Sequence, residues 1–226
     1  MSSFCGIYKK NMDISLILHT CDKYEFCWNP FFQAFDNGKL ELPKYFCSET
    51  LSVSREGWLN IKTGKGNWSD RLVSILEEVK TPYIVYMQED FWPYQEMDME
   101  LFNFCFEELK RDNLSAFYIT RKPPPNPEYG IFKAHSIFKD HEVFDFEAES
   151  PYLMNHQFAI WNRVELLKQL ERGETPWENE IKGTERIRSR KEHNLYRLID
   201  FKWYHAVVHK GKFAHDVNYN FPASSI

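Results

Sequence analysis

The sequence lacks a long hydrophobic run and lacks paired cysteines. No apolar stretch reaches the roughly 18 residues that a membrane-spanning helix needs, and the apolar run at 14–18 is too short for a secretory signal. The five cysteines form no Cys-x-x-Cys pair, and their odd number favours reduced thiols over a disulfide framework. These absences lead us to expect a cytoplasmic protein without a transmembrane segment.

Basic residues are fewer than acidic ones, and glycine is scarce. Lys and Arg number 28 against 33 Asp and Glu, which gives a formal net charge of −5. A protein that binds duplex nucleic acid normally shows a basic surface, so we expect no nucleic-acid partner. The 9 glycines form no complete phosphate-loop motif directly after a predicted strand.

Aromatic residues are abundant instead, with 7 Trp, 12 Tyr and 19 Phe. Aromatic side chains fill cores and also line ligand pockets, so this excess does not distinguish the two uses. A chain of 226 residues, 43% of them hydrophobic, is long enough to bury a sizeable core. We expect one domain that covers residues 1–226.

Strand and helix patterns alternate in the first half of the chain. Apolar runs predict strands at Ile14–His19, Lys44–Ser48 and Tyr83–Met87. Apolar residues spaced by three and four over 72–79 predict an amphipathic helix that ends before Pro82. This alternation predicts an α/β fold with a mixed, mostly parallel sheet flanked by helices.

Further elements are predicted along the chain. Pro176 at a first helical position and Glu178 as a capping-box partner predict a helix that begins after Thr175. The other predictions are helices at 28–35, 98–111 and 163–171, strands at 116–120, 152–161 and 203–209, and a hairpin over 132–146.

Acidic residues follow one of these strands directly. Gln88, Glu89 and Asp90 come after Tyr83–Met87, at the end where α/β folds place their ligands. A carboxylate there can hold a hard divalent cation, which in turn neutralises a diphosphate. The alternative is that Glu89 and Asp90 only solvate a turn.

The order of these motifs resembles that of the GT-A glycosyltransferases that use nucleotide sugars, in particular small enzymes of surface-polysaccharide synthesis. The matching segments are ISLILHTCDKY (14–24), GKGNWSDRL (64–72), YIVYMQEDFW (83–92), YLMNHQFAIWN (152–162) and PWENEIKGTER (176–186). The resemblance covers most of the chain. It implies a GT-A-like, Rossmann-like fold with a nucleotide-binding half at about 12–120 and an acceptor half at about 121–226.

The resemblance also implies roles for residues of the donor half. Thr20 and Asp22 would lie against the base or ribose, and Asn67 and Arg71 would contact the nucleotide and its phosphates. The planar guanidinium of Arg suits a diphosphate because it donates two parallel hydrogen bonds. The alternative for Arg71 is a solvated residue in the first turn of a helix.

A metal site is implied in the same way. Asp90 would hold Mn²⁺ or Mg²⁺, Glu89 would support it on the nucleotide side, and His209 would complete the metal shell. The family's Asp-x-Asp signature stands here as Gln88-Glu89-Asp90, without its first Asp. The alternative for His209 is a hydrogen-bonded or solvated side chain.

The acceptor half contributes a candidate base. A carboxylate must remove the proton of the acceptor hydroxyl, and Glu180 and Glu178 are the candidates. The capping box can engage Glu178, and Glu180 lies about 200° further around the helix. Trp177 would offer a platform for a sugar ring, and His156 would face the acceptor pocket.

These expectations describe transfer of a sugar from a nucleotide-diphosphate donor to a hydroxyl of a glycan or glycolipid. Two alternatives remain open. A sugar-phosphate nucleotidyltransferase shares the strand order but usually needs a glycine-rich and basic loop after the first strand. A non-catalytic module that binds a sugar or nucleotide could use the same fold.

Overall fold

The computed structural model describes residues 13–123, 126–209 and 211–214. Its strands are β1 (Ile14–His19), β2 (Lys44–Ser48), β3 (Trp58–Lys62), β4 (Tyr83–Met87), β5 (Phe91–Pro93), β6 (Ala116–Thr120), β7 (Phe132–Phe138), β8 (His141–Phe146), β9 (Ala159–Asn162), β10 (Tyr196–Asp200), β11 (Tyr204–Ala206), β12 (Val208–His209) and β13 (Lys212–Phe213). Its α-helices are α1 (Glu25–Gly38), α2 (Trp68–Glu78), α3 (Met99–Arg111), α4 (Arg163–Lys168) and α5 (Pro176–Ser189).

One nine-stranded sheet organises the fold, in the order β3-β2-β1-β4-β9-β6-β10-β8-β7. Strands β3, β2, β1 and β4 are parallel to one another, and β6 and β10 are parallel to each other. Strand β9 runs antiparallel between β4 and β6, and β8 and β7 complete the sheet as an antiparallel hairpin. The predicted fold class, a mostly parallel mixed sheet between helices, is confirmed.

The two faces of the sheet bury separate hydrophobic clusters, because successive strand side chains point to opposite faces. Leu16 on β1 and Val85 on β4 belong to the cluster that includes α1 and α3. Ile17 and Tyr86, one position further along the same strands, belong to the cluster that includes α2, α4 and α5. The sheet is therefore the middle layer of three.

Several predicted bounds match the structure and others differ. The strands at 14–19, 44–48, 83–87 and 116–120 have the predicted bounds, and the hairpin over 132–146 and the capped start of α5 are present. The predicted strand at 152–161 was wrong over most of its length, since β9 begins at Ala159. The backbone N–H groups of Asn155 and His156 donate to the Tyr118 hydroxyl and the Glu180 carboxylate, not to a strand neighbour.

The direction of β9 brings a second loop to the edge where the parallel strands end. Ala159, at the start of β9, lies opposite Tyr86 near the end of β4. The loop that precedes β9 therefore lies beside the segments that follow β1 and β4. A separate two-stranded sheet of β5 and β11 also continues from this edge.

Gly38, the last residue of α1, packs closely against β5, and a substitution there tests this packing. A Cβ atom at Gly38 would lie 2.8 Å from Pro93 Cβ and 2.9 Å from Trp203 Cζ2. We expect Gly38→Ala to lower the free energy of unfolding by about 1–3 kcal/mol, because neither neighbour can move without disturbing packed structure. Asn37→Ala, at the exposed neighbour in the same helix, should change it by less than about 0.5 kcal/mol. Urea denaturation of both variants measures this difference, and equal stability of the two would contradict the packing described.

Candidate active site

The acidic turn, Gln88–Asp90, follows β4 directly and turns the chain into β5. The N–H of Phe91 donates to the carbonyl oxygen of Gln88 at 3.2 Å. Glu89 is only 6% exposed, and Asp90 is partly buried. Two consecutive carboxylates therefore lie largely out of water at the end of a central strand.

The electrostatics of the acidic turn favour a cation. Burial raises the pKa of Glu89 well above its usual range, and the neighbouring Asp90 raises it further. Burial also raises the pKa of Asp90. Within the described ranges, Asp90 Oδ1 is buried and has no hydrogen-bond partner. Because an unpaired buried carboxylate is costly, this donor set fits a divalent cation bound by oxygen atoms.

Thr20 and Arg71 lie beside Glu89, and their nucleotide-binding roles stay predictions. The Trp28 indole N–H donates to Thr20 Oγ1 at 2.9 Å, and the same hydroxyl lies against the Glu89 carboxylate. Arg71 reaches from the first turn of α2 and donates through Nη1 to the Thr20 carbonyl oxygen at 2.7 Å. Arg71 is 7% exposed, so it is not a solvated surface residue. Its charge lies close enough to Glu89 to oppose the rise in the pKa of that carboxyl.

Asp22 and Asn67 lie on loops outside this cluster. The Asp22 carboxylate accepts hydrogen bonds from the backbone N–H groups of Thr50 and Leu51, so it joins the segments that follow β1 and β2. Asn67 is the N-cap residue of α2, but its side chain makes no capping hydrogen bond and is exposed. The base- and nucleotide-binding roles of these two residues stay predictions.

The two candidate bases on α5 have different surroundings. The Glu178 carboxylate accepts hydrogen bonds from the N–H and the hydroxyl of Thr175, both at 2.9 Å, and completes a capping box. Glu180 Oε1 accepts a hydrogen bond from the His156 N–H at 3.0 Å. Burial raises the pKa of Glu180. Glu180 therefore has a partly buried carboxylate fixed by one donor, whereas the carboxylate of Glu178 is engaged in the cap.

His156 and Trp177 have opposite environments. The His156 ring is 5% exposed and lies 4.4 Å from the Trp68 ring and 5.7 Å from the Tyr86 ring, centroid to centroid. Trp177 is 73% exposed, three residues before Glu180 on the same helix. Of the two residues predicted to bind the acceptor, only Trp177 presents its side chain to solvent.

The segment that carries His209 passes next to the acidic turn. The N–H of Val207 donates to the Asp90 carbonyl oxygen at 2.9 Å, and His209 pairs with Lys212 in the short hairpin that follows. The backbone thus returns to the predicted metal site two residues before His209. The predicted metal contact itself concerns the His209 side chain, which lies outside the described part of the chain.

A second acidic group lies at the opposite end of the strands, near the start of β10. Glu108, Asp112 and His135 are close enough together to hold a metal ion. The Arg197 guanidinium, however, donates to Glu108 at 2.9 Å and to Asp112 at 2.7 Å. Arg197 lies near the start of β10, away from the ends of the parallel strands, and together with Arg111 it already pairs with both carboxylates of this group.

The sequence analysis missed two residues at the candidate site, Tyr204 and Gln157. The Tyr204 ring packs on Phe91, next to the acidic turn, at a centroid distance of 4.7 Å. Its hydroxyl lies 3.0 Å from Thr120 Oγ1 and also donates to Gln157 Oε1. The polar Thr120 at the end of β6 was the one feature of the sequence that pointed to this part of the site. No sequence pattern relates Tyr204 to Gln157.

No protein-family model matches the sequence, and neither does any curated protein. Among solved structures, S. aureus TarS 1–349 in complex with UDP-GlcNAc matches with a TM-score of 0.53 and 10% identity, over 89% of this chain and 60% of that chain. TarS 1–349 without a named ligand matches with a TM-score of 0.54 and 8% identity, over 85% of this chain and 59% of that one. A mycobacterial protein matches with a TM-score of 0.54 and 11% identity, over 87% of this chain and 68% of that one.

These similarities establish the fold. The chain spans about three fifths of the length of TarS 1–349. Within the described residues, none of the helices combines the length and the apolar character that crossing a membrane requires.

Removing one carboxylate of the acidic turn should reveal its cation site. We expect Mn²⁺ at 100 times its dissociation constant to stabilise the wild type by about 2.7 kcal/mol. Asp90→Asn should raise the melting temperature without metal, because it removes a carboxylate whose ionised form burial disfavours, and should abolish the Mn²⁺ effect. Asp140→Asn, at the exposed hairpin turn, should keep the wild-type response. Thermal shift assays measure all three proteins, and a full Mn²⁺ response in Asp90→Asn would exclude Asp90 as a ligand.

Buried histidines next to the site predict a loss of stability in acid. Burial lowers the pKa of His156 to about 3 and also lowers that of His19 well below its usual range. The unfolded chain then binds more protons than the folded protein below about pH 6.5, so stability falls as the pH falls. Between pH 6 and pH 4.5, His156→Gln should lose about 1.4 kcal/mol less per pH unit than the wild type. Urea unfolding at several pH values measures both slopes, and equal slopes would contradict a buried neutral imidazole.

Proposed function

We propose that this protein is a metal-dependent glycosyltransferase that moves a sugar from a nucleotide-diphosphate donor to a hydroxyl of a glycan or glycolipid. The observation that carries the proposal is the acidic turn, where a buried Asp90 oxygen without a partner among the described residues lies next to a buried Glu89. Oxygen ligands at the end of a central strand suit Mn²⁺ or Mg²⁺ bound to a diphosphate.

The fold and the neighbouring residues support a nucleotide-sugar donor. TarS, which has a similar fold, was crystallised with UDP-GlcNAc. Thr20 and Arg71 lie beside Glu89, and the guanidinium brings positive charge to the place that a diphosphate would occupy. Asp22 and Asn67, on the bordering loops, complete the proposed nucleotide site.

The segment after β1 favours sugar transfer over nucleotidyl transfer. Strand β1 is followed by a 3₁₀ turn at Asp22–Tyr24 and then directly by α1. This connection has no room for an extended glycine-rich phosphate loop, which holds the triphosphate in typical nucleotidyltransferases. A donor that already carries its sugar on a diphosphate needs no such loop.

The proposed reaction uses Glu180 as the base. Glu180 accepts the proton of the acceptor hydroxyl, the hydroxyl oxygen bonds to the anomeric carbon, and the bond from that carbon to the nucleoside diphosphate breaks. When bound, the divalent cation neutralises the charge on the leaving diphosphate. Asp90 and Glu89 would hold this cation, with His209 as the proposed third ligand. Trp177 would support a sugar ring of the acceptor, and the buried His156 would position Glu180 through its backbone N–H.

Replacing the proposed base should separate chemistry from binding. We expect Glu180→Gln to lower kcat for transfer by about 10²–10⁴-fold while donor affinity changes little, because the amide cannot accept the proton. Glu178→Gln is the matched control two residues away, and it should weaken the cap of α5 with little effect on kcat. Steady-state kinetics and donor titrations measure both variants. An equal loss of kcat in both would argue against Glu180 as the base.

The choice of reaction can be tested directly. A thermal shift panel of nucleoside diphosphates and nucleotide sugars, with and without Mn²⁺, identifies the donor because a ligand of the folded state raises its melting temperature. Release of the nucleoside diphosphate from that nucleotide sugar, with water or oligosaccharides as acceptors, would support the proposal. Release of pyrophosphate from a nucleoside triphosphate would indicate a nucleotidyltransferase, and stable binding without turnover would indicate a binding module.

A further inference from the structure

Tyr204 is fixed relative to the acidic turn by backbone and ring contacts. It lies on β11, which pairs with β5 immediately after the turn, so Tyr204 is opposite Pro93 in the register. Its ring packs on Phe91 at a centroid distance of 4.7 Å. Three residues later, the N–H of Val207 donates to the Asp90 carbonyl oxygen at 2.9 Å. Any group held by the Tyr204 hydroxyl therefore has a defined position next to Asp90.

The Tyr204 hydroxyl holds the side chain of Gln157. It lies 3.0 Å from Thr120 Oγ1 and donates a hydrogen bond to Gln157 Oε1. Gln157 is an exposed residue, and Nε2 of its carboxamide has no partner in the part of the chain that the structure describes. Because the carboxamide is planar, a hydrogen bond at Oε1 limits its rotation, and the two N–H donors of Nε2 remain available to a ligand.

The loop that carries Gln157 also contacts the proposed base. The N–H of His156, the preceding residue, donates to Glu180 Oε1 at 3.0 Å. The Asn155 side chain accepts a hydrogen bond from the Gln157 N–H at 3.2 Å, which holds the loop in a turn. Residues 155–157 thus connect the carboxylate that would take the acceptor proton with the tyrosine that packs beside Asp90.

We propose that Gln157 determines donor specificity by donating hydrogen bonds to oxygen atoms of the transferred sugar, and that Tyr204 is its positioning residue. This inference rests on the proposed function, since the transferred sugar must lie between the metal-bound diphosphate and the acceptor hydroxyl. Residues 155–157 span that interval. A neutral carboxamide suits the hydroxyl or acetamido oxygens of a neutral sugar, whereas a sugar carboxylate would favour an arginine.

The test compares affinity for a nucleoside diphosphate with affinity for the matching nucleotide sugar. Calorimetric titrations in Mn²⁺ would use UDP against UDP-glucose and UDP-GlcNAc, and GDP against GDP-mannose. Gln157→Ala and Gln157→Glu should weaken the nucleotide sugar about tenfold and leave the nucleoside diphosphate within about twofold. The Glu variant keeps an oxygen for the Tyr204 hydroxyl but lacks the N–H donors, so it tests the donor role itself.

Tyr204→Phe should reproduce this selective loss, because the ring packing stays while the hydroxyl that orients Gln157 is removed. Tyr196→Phe is the matched control, since Tyr196 is a buried tyrosine at the start of β10, near the opposite edge of the sheet. It should leave both affinities unchanged. A merely structural role of Tyr204 would weaken UDP and UDP-glucose equally, and that result would overturn its positioning role.

The two proposals fail in different ways. If the wild type binds nucleoside diphosphates and nucleotide sugars, but the Gln157 variants bind both as the wild type does, the inference about Gln157 is overturned and the proposed function stands. If the wild type binds neither class of ligand, the proposed function is overturned and the inference with it.

Discussion

Two negative charges on consecutive residues, held largely out of water, are the constraint around which this site is arranged. Glu89 and Asp90 cannot both be ionised there without a compensating positive charge, and Arg71 is the cation that the structure places near Glu89. One guanidinium cannot compensate two carboxylates, so positive charge is missing next to Asp90, whose Oδ1 has no hydrogen-bond partner among the described residues. A turn of this kind contributes little to folding stability, and its buried carboxylates suit the divalent cation of the proposed function.

Buried carboxylates at the opposite end of the strands, near the start of β10, have a different environment. There, the Arg197 side chain is buried among Glu108, Asp112 and Asp145, and each of these carboxylates accepts a hydrogen bond from it. Arg111 also pairs with Glu108 and Asp112, so two guanidinium groups lie among the three carboxylates. Each carboxylate of this group therefore has an arginine partner, whereas Asp90 Oδ1, where the parallel strands end, has no hydrogen-bond partner among the described residues.

The sequence predicted the elements in which one physical pattern dominates. Strands β1, β2, β4 and β6 are runs of mainly apolar residues, and their bounds agree with the structure. Strand β10 was missed because Arg197 interrupts its apolar pattern, and only the three distant carboxylates explain why an arginine is buried there. Strand β3 was missed for another reason: it lies at the edge of the sheet and buries only two of its five residues.

In the candidate site, too, local sequence patterns were predictable and contacts between distant residues were not. Adjacent acidic residues after a strand are visible in the sequence, and so is the capping box that engages Glu178. The link from Glu180 to His156 and the link from Tyr204 to Gln157 join residues 24 and 47 positions apart. Such links depend on how the loop before β9 packs against α5 and β11, and no periodic pattern encodes that packing. The sequence therefore located the carboxylates and could not locate what orients them.

The reversed direction of β9 separates the strand pairing of the sheet from the loop that precedes β9. Strand β9 begins at the end of the sheet where β4 and β6 finish. Its register with these strands involves residues 159–162. Residues 152–158 are held mainly by hydrogen bonds that involve individual side chains. Leu153, Met154 and Phe158 of that stretch are buried in the two hydrophobic clusters, whereas residues 155–157 belong to neither cluster. Under the proposed function, the contacts of residues 155–157 with the transferred sugar are therefore separate from the strand pairing that holds the acidic turn in place.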